Sequence, residues 1–516
     1  MTAGSATAPK EYDVVVIGAG PVGLFTAVLL GQYGVRTLVV ERRPQMYTYP
    51  RAIGIDDETM RAMQAIGIAD SQLPQLKYAP TIEYLSPVGY SRFQPPATPG
   101  PYGHPFLATF LQPRLEEGLR ARLAELPSVE LRTGIEFVDF DEAGGIITLM
   151  RDADGRELRA CSRFLLGCDG GRSRVRQQVG VELLGATQEE KWLVVDVRDD
   201  EVLAEAMRSR HQDACAQPMV SITLPEGLRR IECRLAADSA RTEAVGPELI
   251  RDALRPLVAD HPVDVVRAAV YERYFRHAEQ LRAGNVFLLG DAAHLVPPYG
   301  GQGLCSGIRD AINLAWKLAF VLGGRLPVEV LDSYDRERGD HMKRTVAFVR
   351  HLARRIEGDT GEGQVEEGLS VADQRRAKPA PEYATGFFDE KAGGGAMFPQ
   401  PTVVSDGVAR PLDDVLGPGF AVLVRTNSRI AGIGWRALFG PDTFVAQVRT
   451  LDGPRHAEPG VPVLGDPTGE LVSAIGAADF VVLRPDRFVF AAYRDEQAPR
   501  VAERLSAWRR SEGGVR

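Results

Sequence analysis

Apolar positions concentrate first at residues 13–17, DVVVI, then in LFTAVLLGQYG, whose spacing suits a buried helix, and again in RTLVVERR. A β-branched run, a glycine-rich turn, an apolar helix and a second run predict a βαβ unit with parallel strands. DDETMRAMQAIG (56–67) opens on Asp56 as an N-cap and stops at Gly67. QPRLEEGLRARLAEL (112–126) starts a second helix with Pro113 in its first turn. VELRTGIEFVDFD, GIITLMRDADGRELRA with its D-G turn, and SRFLLGCDGG predict further strands. From 181 to 275 strands dominate, through KWLVVDVRD, PMVSITLP, RRIECRLA and VVRAAVYERYF. Residues 356–386 are polar and rich in Gly, Pro and Glu, after which FAVLVRT, IAGIGWRALFG, FVAQVRTL and FVVLRPDRFVFAAY alternate strands with helices. The expected fold class is α/β. A discontinuous Rossmann-like nucleotide-binding domain (1–180 and 270–355) holds an inserted, mostly antiparallel sheet domain (181–269). A linker (356–395) and a C-terminal α/β domain (396–516) follow.

Composition adds exclusions. At 516 residues, with 44% hydrophobic and 25% charged positions, the chain has the make-up of a multidomain soluble protein. Its 61 Lys+Arg against 69 Asp+Glu give −8, which argues against nucleic acid or an anionic membrane as partner. MTAGSATAPKEYD lacks the features of a secretory signal, and no apolar run approaches the ~18 residues of a spanning helix. Cys161, Cys168, Cys215, Cys233 and Cys305 are scattered without a C-x-x-C pair, so a reducing, cytoplasmic setting with neither a disulfide framework nor a zinc site is expected. The histidines form no H-x-x-x-H pattern; His294 is expected to be a structural hydrogen-bonding residue, and no metal is expected.

The chemistry sits in two glycine-rich turns. In GAGPVG, Gly18 can make the turn, Gly20 can let the backbone approach a pyrophosphate, and Gly23 can let helix and strand pack closely. Glu41 closes the next strand 21 residues after Gly20, where its carboxylate can accept from adenosine ribose hydroxyls. The second turn, LLGDAAHLVPPYGGQGLCSG, brings Asp291 to a strand end, suited to a ribityl hydroxyl of FAD. Gly300, Gly301 and Gly303 clear side chains from the path of a flat ring, and a helix beginning near 304 points its positive end there. A reduced flavin carries negative charge at N1 and O2, which such donors stabilise.

Three motifs in order, GAGPVG (18–23), CDGG (168–171) and GDAAHLVPPYGGQG (290–303), resemble those of the class A FAD-dependent aromatic hydroxylases. YPRAIGIDDETMRAMQAIG (49–67), GQGLCSGIRDAINLAWKLA (301–319) and VVLRPDRFV (481–489) most resemble the family's hydroxyphenylpropionate-hydroxylating branch. The resemblance implies that Glu41 and Arg42 hold the adenosine end of FAD, and that Arg51 and Gln112 contact the pyrophosphate and flavin side. It implies that Asp169 serves FAD and NAD(P)H, that Asp291 binds the ribityl chain, and that Pro298 lines the reaction pocket. The backbone at Gly303, Leu304 and Cys305 would face the flavin. Relatives carry Asn where this chain has Cys305, which removes a side-chain contribution to helix capping.

The resemblance further implies NAD(P)H and O2 as co-substrates, a flavin C4a-hydroperoxide, and oxygen transfer to a phenolic ring, with a 3-(3-hydroxyphenyl)propionate-like acid favoured. The alternatives are a tailoring hydroxylase of an aromatic polyketide or other natural product and, in another class, a non-catalytic FAD-binding protein. A flavin halogenase is disfavoured because no W-x-W-x-I-P element is present, and a disulfide reductase because a second GxGxxG and a redox cysteine pair are missing. Arg229 and Arg230 are either a carboxylate-recognising pair or a solvated strand edge. The C-terminal part resembles a thioredoxin-like domain; with no cysteine after Cys305, it is expected to serve packing or homodimer formation rather than dithiol chemistry.

Overall fold

The computed structural model describes residues 10–49, 51–86, 89–142, 144–208, 217–235, 245–259, 261–357, 378–425, 428, 434–450 and 459–510. Strand Val14–Ile17, helix Pro21–Gln32 and strand Thr37–Glu41 form the expected βαβ unit. The helix is apolar and buried almost all round, because the parallel sheet lies on one side of it and further helices on the other. The sheet runs Arg282–Ala283, Val286–Leu288, Phe164–Gly167, Val14–Ile17, Thr37–Glu41, Val129–Thr133, and all its pairs are parallel except the first. Helix Gln302–Leu322 begins slightly earlier than the sequence suggests. Gly307 lets it come close: a Cβ there would lie 2.5 Å from Val22 Cγ2 and 3.1 Å from Gly290 Cα. Asp56 caps helix Asp57–Ala65 by accepting from the Thr59 N–H, and Pro113 stands in the first turn of Gln112–Ala124, as the pattern predicts.

The second sheet is antiparallel throughout, in the order His294–Leu295, Val265–Ala278, Leu183–Arg198, Leu228–Arg234, Met219–Leu224, Ile82–Ser86, Gly89–Phe93. Its last two strands come from within 1–180, a stretch the sequence assigns wholly to the nucleotide-binding domain. Met219–Leu224 needs a partner on its free edge, and Ile82–Ser86 supplies one while burying Ile82 and Leu85.

Part of the expected linker is likewise packed. Among residues 378–395, Lys378, Tyr383, Phe387 and Phe388 are buried, the three aromatics within the main core; residues 358–377 lie outside the described residues. The C-terminal sheet runs Val408–Pro411, Thr402–Ser405, Val463–Asp466, Phe444–Thr450, Ala421–Arg425, Phe480–Leu483, Val489–Tyr493. It docks on helix Gln302–Leu322 through aromatic edges, with Trp316 and Phe420 centroids 5.6 Å apart. No helix among the described residues is long and apolar enough to cross a membrane.

Candidate active site

The three glycines of the first turn do different work. Gly18 has φ +103°, and a Cβ there would stand 2.4 Å from the Cys168 carbonyl oxygen. At Gly23 a Cβ would stand 1.9 Å from the Gly18 oxygen, whereas at Gly20 nothing lies within 4 Å. Gly18 and Gly23 therefore fold the turn, and Gly20 leaves an open approach to the helix N-terminus, which carries no side-chain cap. Glu41 Oε2 accepts the Ala19 N–H at 2.9 Å and Oε1 the Arg43 N–H at 2.9 Å, so the carboxylate is fixed at the strand end beside this turn. Arg42 is exposed next to it; Arg51 is exposed, its guanidinium 5.7 Å from the Tyr47 ring centre.

In the second turn, Gly290 (φ +57°) donates its N–H to Asp310 Oδ2 at 3.0 Å. The same oxygen lies 2.7 Å from His294 Nε2, and Arg338 Nε donates to Oδ1 at 2.8 Å. Burial pushes the Asp310 carboxyl up, yet Arg338 and His294 together hold it down to about 2, so it is ionised at neutral pH. Asp310 therefore anchors the loop that carries Asp291, a role the sequence reading missed because nothing in RDAIN marks it. His294 is the structural residue expected, with no side-chain exposure. Asp291 points outward into a cleft and makes no hydrogen bond among the described residues.

Gly300 and Gly301 both take left-handed angles, φ +66° and +68°, and a Cβ on Gly301 would lie 3.1 Å from the Gly54 oxygen. The helix from Gln302 thus starts without a side-chain cap, and at Gly303 the nearest atom to a built Cβ is 3.8 Å away. Cys305 is buried in that first turn, its Sγ 3.9 Å from the Gly54 oxygen, and burial pushes its thiol up to about 12. A neutral thiol there packs without reacting. Cys305→Asn is expected to retain FAD and at least part of the hydroxylating activity; complete loss of product with FAD still bound would make the thiol essential.

Two cavities meet in front of this helix end. One, about 390 Å³, is lined by Gly20, Arg51, Gln112, Asp291, Gly303 and Leu304, among others. The other, about 560 Å³, is a mainly apolar chamber walled by Ile82, Tyr84, Phe93, Phe106, Val220 and Ile222. Ile53, Gly54, Glu232, Pro298 and Gly301 line both. The first cleft suits FAD: the open backbone at Gly20 would take pyrophosphate, Asp291 a polyol and the glycine-cleared helix end the ring, while Glu41, fixed beside the Gly20 turn, would take the ribose. Asp291→Ala is expected to weaken FAD binding by about 1.5–3 kcal/mol, through loss of a charge-assisted hydrogen bond. Titration of apoprotein with FAD measures it, and unchanged affinity would reject the role.

Other expected residues are held differently. Gln112 lines the cleft, but its Oε1 accepts from Ala52 N–H at 2.9 Å and its Nε2 donates to Glu116 at 2.7 Å, so its amide positions the loop at 52. Asp169 Oδ2 accepts the Arg174 N–H at 2.7 Å and the Val175 N–H at 3.2 Å, while Oδ1 is buried without a partner among the described residues. Arg229 and Arg230 are not a solvated edge: both are buried in ion pairs with carboxylates of the chain, and Arg230 also borders the cleft. Arg229 pairs with Asp199 at 2.8 Å and Glu83 at 2.9 Å; Arg230 pairs with Asp196 at 2.7 Å. Their partners are distant in sequence, so the RR pair could not reveal them. Asp56, Asp57 and Glu58 gather against Arg309 and Lys378, three carboxylates against two cations, in a cluster joining the second helix to the segment after 377.

Residues 11–349 match the FAD binding domain family, and residues 395–508 match the HcaD C-terminal domain. The chain belongs to the FAD binding domain family, as a FAD-dependent aromatic monooxygenase. It is 38% identical to the 3-(3-hydroxy-phenyl)propionate/3-hydroxycinnamic acid hydroxylase of Mycobacterium sp. (strain JLS), across 98% of this chain and 93% of that one. It is 36% identical to the protein of the same name from Burkholderia cenocepacia (strain HI2424), across 93% and 94%. The structure of aklavinone-11 hydroxylase in a ternary complex with FAD and aklavinone shares the fold, with a TM-score of 0.78 at 23% identity over 97% of this chain and 99% of that one.

Proposed function

We propose that this protein uses NAD(P)H and O2 to hydroxylate a phenolic ring held in the 560 Å³ chamber. The observation that carries the reading is the junction of the two cavities at Pro298, Gly301, Ile53 and Gly54, where a ring in the chamber meets a flavin in the cleft. FAD, when bound, supplies the oxygen-activating chemistry. The chain orients it through Gly20, Glu41 and Asp291. The free N–H groups at the start of helix Gln302–Leu322 favour negative charge on the ring, and the apolar chamber wall excludes water. NAD(P)H has no dinucleotide fingerprint of its own in the sequence and reaches the flavin over an open surface.

Likeness to the mycobacterial and Burkholderia relatives supports a 3-(3-hydroxyphenyl)propionate-like acid as substrate. A second reading, a larger neutral phenol, has a specific observation behind it. No Lys or Arg lines the chamber among the described residues, the carboxylates Asp56 and Glu232 do, and its volume lies in the range of drug-sized ligands. A panel of phenolic acids and multi-ring phenols, scored for stimulated NADH oxidation and product mass, decides between them. The C-terminal unit reads as thioredoxin-like, supported by its core order Phe444–Thr450, Ala421–Arg425, Phe480–Leu483, Val489–Tyr493 with the third strand antiparallel to its neighbours. Its contacts with helix Gln302–Leu322 support a packing role.

A further inference from the structure

Glu232 lies in strand Leu228–Arg234, opposite Val194 on one side and Val220 on the other, with Tyr84 opposite Val220. Residues opposite one another share a face of the sheet, so these four form one row, and the row floors both cavities. Glu232 is 4% exposed and stands where the cavities join. Its carboxylate makes no hydrogen bond or ion pair among the described residues.

Two cations, Arg230 and Arg273, act on it from nearby. Arg230 holds Asp196 at 2.7 and 2.9 Å and donates to the Arg51 oxygen at 2.6 Å. Arg273 lies against the rings of Trp192 and Tyr299, 3.2 and 4.2 Å from their centres, and donates to the Tyr299 hydroxyl. Both lend Glu232 positive potential. An acceptor facing the cavity without a protein donor is open to a donor from what fills the cavity.

We propose that Glu232 accepts the hydroxyl hydrogen of the phenolic substrate and takes its proton. This rests on the reading that the chamber holds a phenol. In the step, the phenol O–H bond breaks, an O–H bond to Glu232 forms, and the electron pair stays on the phenolate oxygen, enriching the ring carbons ortho and para to it. The proton does not leave the pair of reacting groups, and no electron changes hands between molecules. Burial raises the Glu232 carboxyl, while Arg230 and Arg273 draw it back and Asp196 opposes them. Tyr84 lies on the same row; Asp56, Tyr90, Tyr299 and His351 line the chamber with it, and Arg51, Tyr271, Glu272, Tyr274 and Asp291 line the cleft. A raised carboxyl is a stronger base toward a phenol, provided the pH stays above its own value.

The test uses FAD-loaded protein with 2-naphthol, 3-(3-hydroxyphenyl)propionate and the methyl ether of each. Wild type is expected to bind a phenol at least about tenfold more tightly than its ether, and Glu232→Leu to erase that preference. Glu232→Gln keeps an acceptor but cannot take a proton. It should retain NAD(P)H oxidation, divert it to hydrogen peroxide at neutral pH, and recover hydroxylation as pH rises toward the phenol's own value near ~10. Equal phenol-to-ether ratios in wild type and Glu232→Leu, or superimposable hydroxylation profiles in wild type and Glu232→Gln, overturn the proposal. A phenol preference that vanishes in Glu232→Leu while wild type yields no hydroxylated product supports the Glu232 contact and refutes the monooxygenase reading instead.

Discussion

Glu337→Ala is expected to destabilise the protein by about 3–5 kcal/mol, the cost of leaving buried charges without their partner. Glu337 Oε2 accepts from Lys317 Nζ at 2.8 Å, Arg484 Nη2 at 2.9 Å and Asn313 Nδ2 at 2.5 Å; Oε1 accepts from Arg484 Nη1 at 2.7 Å and the Phe387 N–H at 2.8 Å. The Glu337, Lys317 and Arg484 side chains have no exposure. One carboxylate thus ties the long helix to the segment around 387 and to the C-terminal sheet. Without it, Lys317 loses its ion-pair partner among the described residues, and Arg484 keeps Asp486. A large fall in the urea midpoint is the expected reading, and an unchanged midpoint contradicts it.

The same network sets an acid limit. Burial pushes the Glu337 carboxyl up, but Arg484 and Lys317 hold it at about 2, against an ordinary 4.5. A carboxyl depressed in the folded state adds stability that is complete above its unfolded value and is lost as pH falls through the folded one. Asp310, held at about 2 against 3.8, and Glu58, at about 2 against 4.5, act in the same direction. Stability should therefore drop between about pH 4.5 and 2, and Glu337→Gln should flatten that slope.

The second large effect is at the first turn. Gly23→Ala places a methyl 1.9 Å from a backbone oxygen and 3.3 Å from Cys168 Cβ, so the turn or the helix must shift. Loss of FAD and of folded yield is expected. Gly20→Ala meets nothing within 4 Å, so its apoprotein should unfold like wild type, yet its FAD affinity should fall about tenfold or more because the methyl occupies the pyrophosphate approach. If Gly20→Ala bound FAD normally, the role of that position would be wrong. If Gly23→Ala did, the close packing would be wrong.

Local devices are legible in the sequence. The βαβ unit, the Asp56 cap, the stop at Gly67 and the packing of Gly23 on the Gly18 oxygen depend on neighbours close in sequence, although Gly18 also packs against the distant Cys168 carbonyl. What depends on distant partners is not. Ile82–Ser86 joins the second sheet through Met219–Leu224, and Arg230 is neutralised by Asp196, separations that no periodicity encodes. Tyr383, Phe387 and Phe388 sit in a polar stretch that reads as a linker, and packing against helix Gln302–Leu322 and the C-terminal sheet gives them a core. Asp310 and Glu232 are single acids within ordinary helix and strand patterns. Their roles arise from the Gly290 loop and the cavity junction, neither of which exists before the chain has folded.

The most direct test of the central claim, that a flavin in the cleft delivers oxygen to a phenol in the chamber, is turnover under ¹⁸O₂ with product mass spectrometry. FAD-loaded protein, NAD(P)H and the best phenol from the panel should give a product heavier by one ¹⁸O atom, with NAD(P)H consumption accelerated by the phenol. A flavin-bound protein that oxidises NAD(P)H while every phenol is recovered unlabelled would contradict it.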